Sequence, residues 1–355
     1  MTMTLDAANV ARFTEFVERL DKQSRIVAVH DSDADGVSSA VVWQRAFERL
    51  GFTNLARVIP DRYRDAWTPA NRERIAAASP AALFVLDLGT RAEPLVDGVP
   101  TCLIDHHRPD GVMPGATLIT AYGQEPTPNT SIMTWELCNA LVDIRDLEWI
   151  AAIGAISDLG ERAPFSLIAG AKLAHTAKAL KQVTTLINSA RRASHYDPEV
   201  AARILLAHDS PQELLMSRSD DLRHLMNARD EVNAEFARGK MAAPVFSKNV
   251  ALVRVRSRCL IHPLVAQIWR SRLPKYIVIV ANEDYLPGRV NFSARSIGNV
   301  SALALLSSIE LPPGEGSYGH GHDHATGGSL PPERWNALLA TLGFDSNSYM
   351  QITQQ

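Results

Sequence analysis

Short apolar runs alternate with amphipathic stretches along the first half of the chain. Brief apolar runs predict strands at positions 26–29, 56–59, 83–86, 102–104 and 117–119. Longer stretches with a helical period predict helices at positions 37–50, 71–78 and 131–141. An opening helix is predicted over residues 13–20, behind a cap at Thr4 or Asp6. Strands that alternate with helices indicate an α/β fold with a doubly wound, mainly parallel sheet.

The second half begins with a long helical region and then returns to short apolar runs. Further helices are predicted at positions 149–156, 166–188 and 211–240, the last of these charged. After them, strands are predicted at 250–255, 276–280 and 290–294, with helices at 262–272 and 301–308. We therefore predict three parts: a larger α/β domain over residues 1–190, a helical linker over 191–243, and a smaller C-terminal α/β domain over 244–355.

Composition agrees with two ordinary domains. The chain has 355 residues, of which 46% are hydrophobic and 21% charged, which is enough for two cores. Its longest apolar stretch, 76–88, is interrupted by Ser79, Pro80 and Asp87, so we expect no membrane span. The start of the chain is acidic rather than basic and apolar, so we expect no secretory signal and a cytoplasmic location. Three widely separated cysteines argue against disulfides and thiolate zinc sites.

Charge is distributed unevenly along the chain. The formal net charge is −3, but residues 244–300 contain nine Lys or Arg against two acidic residues, a local balance of +7. A basic region of this kind can face a polyanion. A solvated surface rich in arginine explains the same count equally well, so charge alone does not decide between them.

The first predicted strand ends in a dense acidic segment, His30-Asp31-Ser32-Asp33-Ala34-Asp35-Gly36. Three carboxylates this close repel one another unless a cation neutralises them. If the segment is extended, Asp31, Asp33 and Asp35 point the same way and can serve adjacent metals. Helix capping is the alternative role for such residues. A calcium-binding EF-hand loop is excluded, because its twelfth position would be Val42 instead of Glu and no helix precedes the segment.

Ligand-type side chains follow further apolar runs. Asp87 comes after the run 83–86, Asp105-His106-His107 ends the run 102–104, and Asp158 follows a run ending at Ile156. One Asp after a strand is usually a turn or cap residue, but several such strand ends meet at one edge of a parallel sheet. Carboxylates with imidazoles and without thiolates suit Mn²⁺ or Mg²⁺ better than a structural Zn²⁺.

Six segments, taken in order, resemble the motifs of a known superfamily. HDSDADG (30–36), VLDLG (85–89), IDHH (104–107) and GAISDLG (154–160) resemble the four motifs of the DHH phosphoesterase superfamily. NFSARSI (291–297) and GHGHDHATGGSL (319–330) resemble the substrate-binding motifs of the associated DHHA1 domain, and the whole is closest to the RecJ-like nucleases. The resemblance spans residues 26–330 and implies a DHH catalytic domain followed by a DHHA1-like domain across a cleft.

The resemblance implies a two-metal centre. Asp33 and Asp87 would hold one cation, with either His30 or Asp31 completing it. Asp87 would bridge to a second cation held together with Asp35, His106 and Asp158. Asp105 would orient a histidine and His107 would face the scissile phosphate.

The resemblance also implies a substrate site in the C-terminal domain. Arg295 and Ser296 would clamp a phosphate, since a guanidinium suits bidentate contacts. The glycines at 319, 321, 327 and 328 (Gly319, Gly321, Gly327 and Gly328) would let backbone amides approach the substrate. His322 would contact a phosphate or terminal nucleotide. His320 stands where relatives have glycine, and His324 has no assigned role.

The function implied is that of a phosphodiesterase or exonuclease with two divalent cations, Mn²⁺ foremost and Mg²⁺ as the alternative, activating a water. Its substrate would be single-stranded DNA or RNA, or a short oligonucleotide, cut from an end. Two alternatives stay open: a phosphodiesterase for cyclic dinucleotides or another small phosphate ester, and an inactive RecJ-like scaffold. The scaffold is disfavoured because the expected metal-site residues are all present, namely Asp33, Asp35, Asp87, His106, His107 and Asp158. No membrane partner is expected, and a homodimer is left open.

Overall fold

A computed structural model describes residues 4–63 and 65–351, except for the side chains of His320 and His322. The chain forms two compact units. The first contains residues up to Arg191 together with His195–Asn227, and the second contains Arg192–Ser194 and the chain from Ala228 onwards.

A five-stranded parallel sheet organises the described part of the first unit. Its strands are β1 (Ile26–His30), β2 (Leu55–Val58), β3 (Ala82–Leu86), β4 (Thr101–Asp105) and β5 (Thr117–Thr120). Their order in the sheet is β2-β1-β3-β4-β5, with every neighbouring pair parallel. The predicted α/β fold with a parallel sheet is confirmed.

Helices follow and flank these strands. They are α1 (Ala7–Glu18), α2 (Ala34–Arg49), α3 (Pro69–Ala77), α4 (Thr130–Leu141), α5 (Glu148–Leu159), α6 (Ser166–His175), α7 (Ala177–Arg192), α8 (Pro198–Leu206), α9 (Pro211–Met216) and α10 (Asp220–Gly239). The first begins behind Asp6, whose side chain accepts a hydrogen bond from the Asn9 amide, as the sequence predicts. Helix α10 contributes residues to both units.

Both faces of the parallel sheet are buried. On one face Ala28 of β1 and Phe84 of β3 join a core built with α1, α2, α4 and α5. On the other face Val29 and Val85 pack with Ile75 of α3. Alternate residues of each strand therefore enter different cores, which is why apolar residues occupy consecutive positions in these strands. The chain winds in opposite directions on either side of β1 and β3, and ligands bind at the carboxyl edge of such a switch point.

The second unit is built on a six-stranded mixed sheet. Its strands are β6 (Val245–Ser247), β7 (Val250–Val255), β8 (Ile277–Leu286), β9 (Arg289–Arg295), β10 (Ser317–His322) and β11 (Ala325–Leu330), in the order β10-β11-β9-β8-β7-β6. Among these six strands, β7 and β8 pair in parallel and the other neighbouring pairs are antiparallel. Its other helices are α11 (His262–Arg272), α12 (Ala302–Ser307) and α13 (Pro332–Thr341).

Several elements have no counterpart among the predictions. The apolar pattern does not predict strands β6, β10 and β11 or helices α8 and α13, and β8 runs six residues beyond its predicted end at Val280. The glycine-rich segment forms the hairpin β10-β11, in which β11 lies between β10 and β9. A Cβ at Gly328 would lie 2.6 Å from the backbone oxygen of Ser317, so the neighbouring strand excludes a side chain there.

None of the helices in the described ranges combines the length and the apolar character needed to cross a lipid bilayer.

Candidate metal centre

The turn after β1 is shaped by Asp33. This residue is the N-cap of α2, and its Oδ1 accepts hydrogen bonds from the backbone amides of Asp35 (3.0 Å) and Gly36 (3.1 Å). The helix therefore begins at Ala34, and Asp35 lies in its first turn. The three aspartates therefore do not share one extended segment, because capping turns the backbone into a helix between Asp33 and Asp35.

Gly36 allows this turn to fold back on itself. A Cβ at Gly36 would lie 2.5 Å from the backbone oxygen of Asp31 and 2.7 Å from its nitrogen. No side chain fits at these distances. The glycine therefore lets the start of α2 press against the backbone of the acidic segment and fixes the position of its carboxylates.

The structure assembles three overlapping groups of potential metal ligands. In each group the ligand atoms lie within 4.8 Å of one another. The groups are Asp31 with Asp33 and Asp87, Asp35 with His106 and Asp158, and Asp87 with His106 and His107. They come from the ends of β1, β3 and β4 and from the starts or ends of α2 and α5. Asp87 and His106 are each shared by two groups, so together the groups form one centre.

Distances within this centre are short. His106 Nε2 lies 3.4 Å from Asp87 Oδ1, 3.8 Å from Asp158 Oδ2 and 3.9 Å from Asp35 Oδ2. His107 Nδ1 lies 3.9 Å from Asp87 Oδ1. A single imidazole thus faces three carboxylates.

The N-terminus of α4 holds two of the carboxylates. Backbone amides of Thr130 and Ser131 donate to the two oxygens of Asp35 at 3.0 and 2.7 Å. The Thr130 hydroxyl donates to Asp87 Oδ1 at 3.1 Å. The unpaired amides and the positive end of a helix favour negative charge, so α4 fixes both carboxylates in place.

Asp87 adopts an uncommon backbone conformation. Its φ is +63°, in the left-handed region, and Gly89 follows with φ +75°. Aspartate tolerates this region better than most residues. Strained backbone is common at functional sites, and at this position it directs the side chain from the end of β3 towards His106.

Asp105 binds neighbouring groups and belongs to none of the three ligand groups found among the described residues. Its Oδ1 accepts from the backbone amide of His107 at 2.6 Å and lies 2.9 Å from His107 Nδ1. Its Oδ2 accepts from the Gly89 amide at 2.6 Å. Asp105 therefore fixes the His107 ring and ties the loop after β3 to the loop after β4.

Burial and mutual repulsion make the carboxylates reluctant to ionise. The pKa values of Asp35 and Asp87 are well above the ordinary range, first because both side chains are buried and then because other carboxylates surround them. The Asp158 side chain keeps 25% of its surface exposed, yet burial of the carboxyl and the charge of Asp33 raise its pKa to about 7. A bound cation would relieve the repulsion between these carboxylates and favour their ionised form.

His107 and Asp105 form an opposite pair. Burial acts to lower the pKa of His107, but the hydrogen bond and charge of Asp105 outweigh it and the pKa is raised. Burial likewise acts to raise the pKa of Asp105, and His107 reverses this and holds it low. His107 therefore carries positive charge more readily than an ordinary histidine, with 39% of its side chain exposed.

His30 lies outside the ligand groups found among the described residues. Its Nδ1 is 2.8 Å from the backbone oxygen of Asp31. Complete burial, followed by the charge of Arg57, lowers its pKa to about 4. Of the two residues predicted to complete the first metal, the structure brings Asp31, and not His30, together with Asp33 and Asp87.

The donor set fits a hard divalent cation. Every donor is a carboxylate oxygen or an imidazole nitrogen, and the three cysteines are buried and free. Such donors suit Mn²⁺ and Mg²⁺. A bound cation would favour the ionised form of Asp35 and Asp87, which α4 holds in place.

The predicted phosphate-binding residues lie in the second unit. Arg295 ends β9, and its Nε is buried without a hydrogen-bond partner in the described part of the chain. Burial, and then the neighbouring charge of Arg270, lowers the pKa of Arg295. The Ser296 hydroxyl is 3.1 Å from His324 Nδ1 and accepts from the Ala302 amide at 3.3 Å.

The remaining predicted substrate residues lie in the hairpin. Gly319 and Gly321 belong to β10 and have positive φ values of 73° and 119°, while Gly327 and Gly328 belong to β11. The side chain of His322 falls outside the described part of the structure, so its predicted contact stays a prediction.

Three residues near the centre are not predicted from the sequence. Thr130 contacts Asp87, as described above. Asn188 donates to the Ser157 hydroxyl at 2.9 Å and accepts from the Ala34 amide at 3.4 Å, and Arg191 pairs with Asp33 at 3.2 Å. The segment Pro128-Asn129-Thr130-Ser131 does carry a helix-capping pattern, but no local signal indicates that this helix end faces the carboxylates.

Comparison with known proteins identifies part of the chain by sequence. Residues 25–156 match the DHH family, N-terminal domain. A stretch of 103 residues, 27% of this chain, is 29% identical to the single-stranded-DNA-specific exonuclease RecJ of Escherichia coli strain K12. That match covers 18% of the length of the Escherichia coli protein.

Solved structures share the fold over almost the whole chain. RecJ from Thermus thermophilus in complex with Mn²⁺ superimposes with a TM-score of 0.71 at 18% identity, covering 96% of this chain and 55% of that one. An exonuclease RecJ bound to manganese has a TM-score of 0.65 at 18% identity, covering 96% and 95% of the two chains. By sequence the chain is therefore similar to the DHH family over residues 25–156, and it shares the fold of these RecJ structures over almost its whole length.

Proposed function

We propose that this chain is a divalent-metal-dependent phosphodiesterase that hydrolyses single-stranded nucleic acid or short oligonucleotides from an end. The observation that carries the proposal is the convergence of carboxylates and two histidines from separate elements at the switch point of the parallel sheet. Its relative in Escherichia coli is named as an exonuclease specific for single-stranded DNA, which supports this substrate class.

We assign the metal ligands from the sequence motifs, and we take Asp31 over His30 because of its place in the ligand groups. Asp31, Asp33 and Asp87 would hold one cation, and Asp35, Asp87, His106 and Asp158 the other. When bound, such a pair lowers the pKa of a water and neutralises phosphoryl oxygens. Thr130 and the α4 amides would keep the ligands in position during turnover.

His107 would act on the substrate directly. Its ring is partly exposed and is held by Asp105, and its raised pKa favours the protonated form. A positioned imidazolium can donate a hydrogen bond to a phosphate oxygen or a proton to a leaving oxygen. Asp105 would remain ionised and keep the ring in place.

Arg295 would bind a phosphate in the second unit. Its buried Nε has no acceptor in the described residues, and a guanidinium offers two parallel donors to a phosphate. Ser296, already bonded to His324 and Ala302, would hold the end of β9 in place beside it.

Product analysis tests the proposal. Mn²⁺-supplemented protein is incubated with 5′-labelled and 3′-labelled DNA and RNA strands of graded length, and with cyclic dinucleotides. Stepwise release of mononucleotides from one end of long strands is the expected result, and the retained label gives the direction. Cleavage confined to dinucleotides or cyclic substrates would contradict the proposed substrate class and favour a small phosphate ester.

A matched pair of variants distinguishes hydrolysis at this centre from hydrolysis by a contaminating enzyme. Asp87→Asn removes a shared ligand and should abolish hydrolysis. Asp146→Asn removes an exposed carboxylate that pairs with Arg49 at 2.6 Å in the same unit, and activity should be unchanged. Equal activity of the two variants would refute the assignment of the site.

A further inference from the structure

Arg191 is a buried cation at the edge of the metal centre. It lies near the end of α7, and only 9% of the residue is exposed. Its Nη2 is 3.2 Å from Asp33 Oδ2. Its Nε and Nη1 are also buried, and neither has a hydrogen-bond partner in residues 4–63 and 65–351. Buried donors without acceptors are unfavourable. The contact with Asp33 therefore leaves two nitrogen donors of the guanidinium, Nε and Nη1, without an acceptor among the described residues.

Both carboxylate oxygens of Asp33 already have partners. Its Oδ1 caps α2 and its Oδ2 faces Arg191. A cation bound to Asp33 would share Oδ2 with the guanidinium, and the two positive charges would repel each other. The charge of Arg191 also acts on Asp158, whose pKa it lowers. The positive charge of Arg191 therefore weakens the binding of a cation at Asp33.

An anionic ligand removes both difficulties. A phosphate at the metal centre carries the charge that offsets neighbouring cations, and its oxygens can accept from two donors of one guanidinium. We propose that Arg191 is a further substrate-binding residue of this centre, contacting the phosphoryl group through Nε and Nη1. The nature of the complete substrate rests on the function proposed above, but binding of the phosphate group does not.

Two substitutions and one control test the inference. Arg191→Gln removes the charge, and Arg191→Lys keeps a charge opposite Asp33 but lacks the two-pronged donor geometry. Arg49→Gln is the control, since Arg49 forms an arginine-aspartate pair away from the centre. Calorimetry measures the affinity for Mn²⁺ and then, at saturating Mn²⁺, the affinity for inorganic phosphate. Steady-state kinetics on an oligonucleotide follow.

The expected result is a separation of the two affinities. Both Arg191 variants should bind Mn²⁺ at least as tightly as the unaltered protein, while phosphate affinity and kcat/KM fall by about 10- to 100-fold. The Arg49 control should change neither. Weaker Mn²⁺ binding together with full recovery of phosphate binding at excess Mn²⁺ would overturn the inference and make Arg191 a positioning residue for Asp33. Unchanged phosphate binding in both variants would overturn it as well. A protein that binds phosphate through Arg191 but cleaves no oligonucleotide would refute the proposed function alone.

Discussion

Replacing Asp87 with asparagine should stabilise the metal-free protein while destroying its activity. The Asp87 carboxylate is buried among other carboxylates, and its pKa is raised by burial and by their charge. Asparagine has nearly the same shape, retains an oxygen that can accept from Thr130, and carries no charge. Folding buries this negative charge next to other carboxylates, which costs free energy. Its removal should therefore raise the free energy of unfolding.

The size of the effect follows from the distances in the centre. Ligand oxygens of Asp87, Asp31 and Asp33 lie within 4.8 Å of one another. Two unit charges at that separation repel by about 3 kcal/mol at an effective dielectric constant of about 20. Protons retained by the acidic cluster reduce this repulsion, whereas shorter separations and the second neighbouring carboxylate add to it. For a unit of this size, about 3 kcal/mol corresponds to a rise in melting temperature of about 6–12 °C.

The sign of the pH dependence is a second test. Asp87 has a higher pKa in the folded than in the unfolded chain, so its destabilising charge is absent at low pH and develops as pH rises through the folded pKa. The advantage of Asp87→Asn should therefore be small in acid and largest in mildly alkaline buffer. Thermal unfolding in EDTA across about pH 4–9 measures this dependence. Asp146→Asn, in an exposed ion pair, is the control.

Added Mn²⁺ should reverse the order of stability. A cation bound by the native state alone stabilises the unaltered protein, by about 4.1 kcal/mol at a thousandfold excess over Kd, which exceeds the repulsion that the variant relieves. The asparagine variant, lacking a shared ligand, should gain much less. A variant that melts below the unaltered protein in EDTA at alkaline pH would refute the repulsion argument.

Three further substitutions probe other parts of the structure. Thr130→Val should weaken Mn²⁺ binding by about 10- to 100-fold in calorimetry, since partners of metal ligands have effects of this size. Gly36→Ala should destabilise the protein by about 1–3 kcal/mol in urea unfolding, because its Cβ overlaps the preceding backbone. Arg295→Ala should raise KM for phosphate-ended strands more than it lowers kcat, since it removes binding and not chemistry.

Controls for these substitutions lie in the same units. Thr134→Val removes another buried hydroxyl of α4, one without a hydrogen-bond partner in the described residues, and should leave Mn²⁺ affinity unchanged. Arg272→Ala removes an arginine of α11 that stacks on Trp269 with 5.1 Å between guanidinium and ring. If Arg272→Ala raised KM as much as Arg295→Ala does, the rise would come from the loss of overall positive charge and not from a specific contact of Arg295.

The parallel sheet was predictable because its strands carry a strong local signal. Val27 and Val29 enter one core and Ala28 another, so β1 is apolar from Ile26 to Val29 and stands out from the polar turns beside it. Strands β10 and β11 lack this signal. The glycines of β11 are set by close backbone contact with β9 and β10, a tertiary effect that leaves no periodic pattern in the sequence.

The candidate centre was partly predictable for a similar reason. Carboxylates at strand ends meet at one sheet edge, which brings Asp87 to His106 without knowledge of the loops. Thr130 and Arg191 are different, because their parts depend on where α4 and α7 pack. Within the acidic segment, the alternation of aspartates in the sequence suggests that their side chains point the same way. The capping hydrogen bonds of Asp33 instead start a helix, and the aspartates are divided between two ligand groups.

The left-handed backbone at Asp87 limits how this position can change during evolution. Glycine and asparagine accept a φ of +63° with little strain, whereas alanine, glutamate and especially β-branched residues do not. A lineage released from selection for hydrolysis would therefore retain a foldable chain most readily through asparagine or glycine at position 87. In a saturation library sorted for soluble protein and separately for cleavage, these two residues should survive the first sort and be eliminated in the second.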